Sequence, residues 1–521
     1  MSFNINVGLL GHVDSGKTSL SKVLSQIAST AAFDKNPQSQ TRGITLDLGF
    51  SAMTISAPNE LKDKSNELIF TFVDCPGHNS LIRTIISGNL IIDLMILVVD
   101  IQKGFEAQTG ECLILAEISK KPMIVVLNKI DMIDESKRTA TIEKMTKKVS
   151  KTLETTSKCK TAKIIPISAT NNINIDKLVD IMVEEVCKMN LCRNTDVPFI
   201  FAYDHCFKIK GSGTILSGTV LQGSIKINDT IEIPSMKIDR KIKSMQMFKK
   251  PVERAQAGDR LGICITNVDS KLLERGLICQ KGCVEFTHAT VIKLNKIKYF
   301  KREIKSKSKL HCSIGHHTVM CSIILFSSET ATEFNYDSEY IYEDQFEEEE
   351  EEDARGNHKT YFALIEFEQP IIIYDDMLLI ASKLDTEQTN VCRLAFYGNI
   401  FLKNSSTDKN NHETFLQKLK IFKQKSREGI VQRFVNNYEV IVVNLFKKET
   451  DRSRFEGMKC QLSTGELGIV MSFGQSSKVK VIFTSPLQNS TIDSIKNSKT
   501  DIKASLSFKK FIFDKTHRMV Q

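Results

Sequence analysis

Residues 4–27, NINVGLLGHVDSGKTSLSKVLSQI, decide how the first part of this chain folds. NINVGLL reads as a buried strand, and Leu20, Val23, Leu24 and Ile27 recur at helical spacing. Between them, Gly11-His12-Val13-Asp14-Ser15-Gly16-Lys17-Thr18 fits G-x-x-x-x-G-K-[ST] in the strand–loop–helix context that a phosphate-binding loop requires. Glycines let backbone N–H groups close around phosphates, and the dipole of the following helix adds to the attraction. Asp14, Ser15, Gly16, Lys17, Thr18 and Ser19 are the expected nucleotide contacts. Lys17 would reach the β- and γ-phosphates, and the Thr18 hydroxyl would bind Mg2+.

Downstream, ELIFTFVD, IIDLMILVVD, PMIVVLNK and AKIIPIS read as further buried strands, and Leu178, Ile181, Met182 and Val186 as a helix face. Strands alternating with helices over residues 1–190 predict a parallel sheet covered on both faces. Asp74-Cys75-Pro76-Gly77 ends one strand, where Asp74 can hold Mg2+ through water and Gly77 can approach the nucleotide. Asn128-Lys129-Ile130-Asp131 ends another, and the Asp131 carboxylate can accept hydrogen bonds from N1–H and the exocyclic amine of guanine. Adenine would leave that carboxylate unpaired. Ser168-Ala169 ends a third, where a backbone N–H can meet the guanine carbonyl. In this order, each at a strand's carboxyl end, these elements spell a GTPase with GTP/GDP and Mg2+ as cofactors.

The remainder changes character. After Pro198, short strands closed by Gly and Asn-Asp turns predict a β-barrel. More strands run from about Thr287 to Phe326 and from Tyr361 to Phe401, and a last β-rich unit follows the polar stretch KNSSTDKNNHE. The expected division is 1–193 for nucleotide, 194–285 and 286–403 as barrels, a linker at 404–414, and a fourth β-rich domain at 415–521. An acidic insertion is expected at about 329–358, its run Glu347–Asp353 in a solvated loop. Of 521 residues 41% are hydrophobic and 26% charged, the balance of a globular chain, and no apolar run approaches the roughly 20 residues of a membrane helix. The N-terminus carries no secretory pattern, and the 13 cysteines include no C-x-x-C pair, so reduced thiols in a cytoplasmic protein are expected. Net charge is +9, but residues 401–521 hold 22 Lys or Arg against 11 Asp or Glu, while residues 341–353 hold nine acids and no base. The basic part suggests a polyanionic partner.

Arg42-Gly43-Ile44-Thr45 resembles the first switch of translational GTPases, with Thr45 as a second hydroxyl ligand of Mg2+, and Asp74-Cys75-Pro76-Gly77-His78 resembles the second. The resemblance implies that His78 positions the attacking water. GITLDLGFS, DHCFKIKGSGTILSGT, AGDRLGICITNVDSKLLERGL, CRLAFYG, LSTGELGIV and FDKTHRMVQ are similar to eukaryotic-type selenocysteine-specific elongation factors, within the elongation factor Tu-like family. The similarity extends through all four domains, whereas elongation factor Tu ends after three. It implies an α/β P-loop domain, two elongation-factor-Tu-like barrels and a fourth barrel. The implied partners are selenocysteyl-tRNA, the ribosome and a protein bound to the mRNA insertion element, with a monomer and no membrane contact. It also implies a selenocysteine pocket of an Asp-His pair and an arginine, which map here to Asp204, His205 and Arg275. Lys418, Lys420, Lys423, Lys425, Arg427 and Arg433, before the first strand of the fourth domain, and Lys509, Lys510, Lys515 and Arg518 at its end form the expected RNA-contacting region. Two rivals stand beside this reading: another aminoacyl-tRNA carrier, and a GTP-regulated RNA-binding scaffold without cargo.

Overall fold

The computed structural model describes residues 2–25, 27–28, 48–62, 65–76, 84, 86, 88, 90–156, 159–189, 191, 193–209, 213–347, 359–374, 377–384, 391–403, 409–447, 450, 453–473, 478–496, 502–514 and 519–521. In the first domain, β1 (Ser2–Leu10) leads through the glycine loop into α1 (Lys17–Leu24). There follow β2 (Ile27–Ala28), β3 (Gly49–Ser56), β4 (Glu67–Asp74), β5 (Leu94–Asp100), α2 (Ala107–Ser119), β6 (Met123–Asn128), α3 (Glu135–Glu154), β7 (Lys163–Pro166) and α4 (Ile175–Lys188). The sheet order is β2-β3-β4-β1-β5-β6-β7. The five strands expected from sequence are its parallel part, and β3 and β2 extend one side antiparallel. One face packs Leu113 of α2 and Val149 of α3, and the other packs Leu20 of α1 and Leu178 of α4. The uniformly buried runs of β5 and β6 follow from this double cover.

The second domain comprises β8 (Ile200–Ile209), β9 (Gly213–Gln222), β10 (Ser224–Lys226), β11 (Thr230–Ile233), β12 (Ile238–Met247), β13 (Lys250–Val252), β14 (Arg254–Gln256), β15 (Arg260–Ile265) and β16 (Gly276–Cys279). Six strands run β11-β16-β8-β9-β15-β12, and β11 pairs with β12 to close a barrel. The third domain comprises β17 (Glu285–Lys293), β18 (Asn295–Lys296), β19 (Lys309–Ile314), β20 (His317–Ser328), β21 (Tyr340–Glu343), β22 (Thr360–Ile373), β23 (Leu378–Ser382) and β24 (Leu394–Lys403). Its barrel, β19-β23-β24-β17-β22-β20, closes through β19 and β20. After α5 (Lys409–Lys418) comes the fourth, with β25 (Ile421–Asn436), β26 (Glu439–Val443), β27 (Lys459–Leu462), β28 (Leu467–Phe473), β29 (Val479–Phe483), α6 (Asn489–Lys496) and β30 (Lys503–Phe511). Here β25 pairs with β30 to close β25-β26-β29-β28-β27-β30.

Three details differ from the sequence expectations. The polar stretch read as a linker is helical from Lys409. Within the stretch read as an acidic insertion, Tyr340–Glu343 is a strand that pairs with β20 on one side and runs parallel to β25 on the other. It joins the third and fourth barrels in one continuous sheet. Lys423, Lys425, Arg427 and Arg433 lie on β25 rather than before the first strand.

The junction between these barrels is an apolar core in which Phe326, Tyr340 and Phe362 meet Phe415, Leu419 and Ile421. At its edge Asp344, Asp337 and Glu339 pair with Lys423 (3.1 Å), Lys420 (4.0 Å) and Lys509. Exposed ion pairs contribute only ~0–1 kcal/mol each, whereas a large-to-small change in an aromatic core costs about 3–5 kcal/mol. In urea denaturation, Phe326→Ala is therefore expected to lower stability by about that larger amount. The combined Asp337→Asn, Glu339→Gln and Asp344→Asn variant is expected to shift it far less.

Candidate functional site

The glycine loop turns on backbone that only glycine adopts easily: φ is 141° at Gly11 and 94° at Gly16. A Cβ at Gly11 would lie 2.2 Å from the Val98 carbonyl oxygen, and one at Gly16 would lie 2.2 Å from Nδ2 of Asn128. Asn128 braces the site: its amide donates to the Ser15 carbonyl (2.9 Å) and accepts from the Ala169 N–H (3.1 Å). Of the Ser168-Ala169 pair expected to offer an N–H to the guanine carbonyl, Ala169 thus donates to Asn128, and Ser168 donates to the Ile173 carbonyl (3.2 Å). Lys17, 6% exposed, donates to the carbonyls of Gly11 (3.0 Å) and His12 (2.6 Å). Burial pushes its pKa down, and Asp74 opposes that shift. The Thr18 hydroxyl donates to Oδ2 of Asp74 (2.7 Å), so two oxygens able to ligate a hard divalent cation stand together.

At the base side, Asp131 Oδ1 is buried without a hydrogen-bond partner, while Oδ2 lies 3.4 Å from the Thr170 hydroxyl. Lys129, at φ 67°, pairs with Asp100 at the end of β5 (2.9 Å). Ser168 is fully buried, Asp14 sits at φ 61°, and Ser19 is exposed on α1. Arg42, Gly43, Ile44, Thr45, Gly77 and His78 lie outside the described residues.

A second constellation lies on the second domain. The ladder between β8 and β9 shifts register between Tyr203 and His205. Such a bulge interrupts the alternation of side chains, and here the neighbours Asp204 and His205 touch, Oδ1 to Nδ1, at 2.7 Å. Both Asp204 oxygens also accept from Arg260 (2.7 and 2.8 Å), which approaches Thr219 and Ser217 (3.4 and 3.5 Å) as well. Burial tends to raise the Asp204 pKa, but the Arg260 charge and the hydrogen bonds from Arg260 and His205 outweigh it and hold it at about 2. Side-chain exposure is 4% for Asp204 and 3% for Arg260 but 28% for His205, so the histidine is the accessible member. A cavity of about 210 Å³, lined in part by Arg260, Ser217, Phe207, Gln246 and Lys249, opens beside them.

The arginine paired with Asp204 differs from the one expected from sequence. Arg275 immediately precedes β16, whose ladder with β8 ends at Gly276–Tyr203, but the guanidinium that grips Asp204 belongs to Arg260. Burial lowers the pKa of Arg275. A signal for Arg260 was present: it opens an otherwise apolar strand, RLGICI, and Asp204 interrupts another, IFAYDHCF. The hairpin between β19 and β20 approaches from the third domain. There burial pushes His316 down to about 4, Asp204 acting in the opposite sense and His317 and Arg275 reinforcing it.

A phosphate loop braced by an asparagine, a hydroxyl–carboxylate pair and a three-domain α/β–barrel–barrel arrangement make this a translational GTPase. Residues 3–188 match the elongation factor Tu GTP binding domain and 213–279 elongation factor Tu domain 2. Residues 291–398 match the third domain of eukaryotic selenocysteine-specific elongation factor, and 417–517 the eEFSec C-terminal RIFT domain. The mouse selenocysteine-specific elongation factor is 43% identical over 580 aligned residues, covering 99% of each chain. That of Methanocaldococcus jannaschii is 35% identical over 401, covering 76% of this chain and 79% of its own. The crystal structure of Methanococcus maripaludis elongation factor SelB with the GTP analogue GppNHp superposes with a TM-score of 0.71 at 27% identity, covering 98% and 99% of the two chains. The chain belongs to the selenocysteine-specific elongation factors, and guanine nucleotides are its cofactors.

Two groups of the second constellation make it acid-sensitive. His316, held neutral, contributes fully above its ordinary value of ~6.5 and loses that contribution as pH falls toward 4. Asp204, held ionised, contributes fully above ~4 and loses it as pH falls toward 2. Stability is expected to decline in that order on acid titration. At neutral pH Asp204→Asn is expected to cost about 3–5 kcal/mol, because Arg260 is left buried without its counter-charge. Urea denaturation across pH measures both.

Proposed function

We propose that this factor binds GTP with Mg2+, takes selenocysteyl-tRNA across its first three domains and delivers it to the ribosomal A site at in-frame UGA codons. Codon recognition then triggers hydrolysis to GDP and phosphate. The observation that carries the cargo assignment is the buried Asp204–Arg260 pair, with His205 accessible on Asp204 and with Arg260 and Lys249 lining one cavity. A selenol is far more acidic than a thiol, whose reference pKa is ~8.5, so selenocysteine is an anion near neutral pH while serine on the same tRNA is neutral. Fixed charge separates the two; a pocket that read size alone would gain only roughly 1–3 kcal/mol. In this reading the pocket arginine is Arg260, with Asp204 orienting both it and His205.

In the first domain, Lys17 holds the β- and γ-phosphates, trading its loop carbonyls for a stronger anionic partner. Thr18, Thr45 and Asp74 are the ligand set for Mg2+, which would supply charge neutralisation at the phosphates. Asp131 reads guanine through the carboxylate oxygen that is buried without a partner, and Asn128 ties that strand end to the phosphate loop. His78 positions the attacking water. The fourth domain meets phosphates of the tRNA and a protein bound to the insertion element. Lys425 and Arg433 are exposed on β25 for that purpose. A cytoplasmic monomer is the working state.

Two experiments test this. Asp131→Asn is expected to weaken GTP binding about a hundredfold or more, because an amide cannot accept both guanine hydrogen bonds, and to improve binding of xanthosine triphosphate, whose carbonyl accepts where guanine donates. Titration with the two nucleotides decides. For the cargo, ester hydrolysis is followed on one tRNA charged with selenocysteine or serine, with a non-hydrolysable GTP analogue present. Protection of the selenocysteyl form alone, lost in Arg260→Ala and kept in Arg275→Ala, is the expected outcome. Equal protection of both esters would refute the charged pocket, and protection of neither would favour a cargo-free scaffold.

A further inference from the structure

We infer that Phe50, a residue of the GTPase domain, is a positioning residue for the aminoacyl pocket and acts by holding the Arg260 guanidinium. Phe50 is the second residue of β3 and is 1% exposed. The centroid of its ring lies 3.1 Å from Cζ of Arg260, and the His205 ring meets it edge-on at 6.1 Å and 87°. The second domain supplies in-plane partners to Arg260, namely Asp204, Thr219 and Ser217. The face of the guanidinium is covered by the first domain. That division suits the group, because guanidinium is weakly hydrated, donates in its plane and stacks on aromatic faces. Arg260 and His205 thus share one aromatic wall that their own domain does not provide.

The wall's position in the chain gives it a second consequence. In the β3–β4 ladder Gly49 faces Asp74 and Phe50 faces Val73, and Asp74 takes the hydroxyl of Thr18 in the phosphate loop. The first-switch sequence, residues 42–45, precedes β3 by a few residues. One end of β3 therefore sits beside the cation-ligand pair and also carries the ring that fixes the pocket arginine. The pocket is complete only while β3 lies against the second domain, and cargo selection depends on the seating of the GTPase domain as well as on the barrel that holds the charges.

This inference rests on the pocket reading proposed above, and the test separates the two. The readout is the ratio of selenocysteyl to seryl ester protection on one tRNA with a non-hydrolysable GTP analogue, because a general loss of folding lowers both alike. Phe50→Leu keeps an apolar side chain and removes the ring, and Phe50→Tyr keeps the ring. Phe50→Leu is expected to lower the ratio about tenfold, the scale of a desolvated cation–π contact, with Phe50→Tyr close to wild type. A wild-type ratio in Phe50→Leu with a collapsed ratio in Arg260→Ala would overturn the role of Phe50 and leave the pocket standing. A fall of equal size in Phe50→Leu and Phe50→Tyr would also overturn it, reducing Phe50 to packing. An undiminished ratio in Arg260→Ala would overturn both readings, since Phe50 is held to act through that guanidinium.

Discussion

A guanidinium with 3% of its side chain exposed must have its charge answered on the spot, and the second domain is shaped around answering it for Arg260. The bulge in β8 turns Asp204 toward it, β9 offers two hydroxyls, and β3 of another domain supplies an aromatic lid. The same device recurs where the first domain meets the second and the third. Arg193, between the first two domains, takes both oxygens of Asp93 (2.9 and 2.8 Å) and the Asn4 carbonyl. Asn4 and Asn6 in turn donate to the carbonyl of Gly258, where a Cβ would lie 2.3 Å from the Arg193 guanidinium carbon. Arg393 of the third domain grips Glu111 of α2 at 2.9 and 2.7 Å. Buried charge pairs of this kind add little net stability, but breaking one is costly, so they fix how domains dock more than how firmly each one folds.

The nucleotide site was legible because its chemistry is local. Spacing from Gly11 to Thr18 fixes the loop, and Asp74, Asn128 and Ser168 all stand at or just beyond carboxyl ends of strands whose apolar runs mark where they stop. The pocket was only half legible. Asp204 and His205 are adjacent, but 56 residues separate Asp204 from Arg260 and a strand lies between them in the barrel, so the one signal in the sequence, an arginine opening the apolar run RLGICI, does not by itself pair Arg260 with Asp204. Only the closed barrel, with its register, makes that choice. Two strands were hidden by charge. In β21, Tyr340 and Tyr342 alternate with Ile341 and Glu343 in the period of a half-buried strand, but the surrounding acids read as a loop. In β25, Lys423, Lys425 and Arg427 obscure a strand of 16 residues whose outer face is wet.

That concealment matters for the polyanion argument. The basic excess of residues 401–521 suggests a nucleic-acid face, but part of it is used inside the molecule. Lys423 lies 3.7 Å from the ring centroid of Tyr342 and pairs with Asp344, and Lys509 pairs with Glu339 and sits over Phe422. Arg427 lies over the packed pair of Phe446 and Phe455, 5.1 and 5.0 Å from their ring centroids. Lys423 and Lys509 lie at the edge of the junction between the third and fourth barrels, and Arg427 packs on the fourth barrel's own core. An RNA phosphate must compete with resident carboxylates for Lys420, Lys423 and Lys509, whereas Lys425 and Arg433 stand exposed.

Charge also constrains how the proposed pocket would tell selenocysteine from serine. Asp204 is held ionised and Arg260 is always charged, so their pair is neutral overall and attracts an anion only through its dipole. His205 is the member that faces solvent. In the proposed reading a selenolate would be met there by a ring that Asp204 orients, whereas a neutral serine hydroxyl would gain nothing from fixed charge. Fixed positive charge beyond that neutral pair would come from Lys249, which lines the same cavity as Arg260. Asp204 serves both partners, accepting from Arg260 and orienting His205 through Nδ1. If the proposed pocket is built this way, it would respond to the charge of its cargo rather than to its size, the property needed where two side chains of similar shape arrive on the same tRNA.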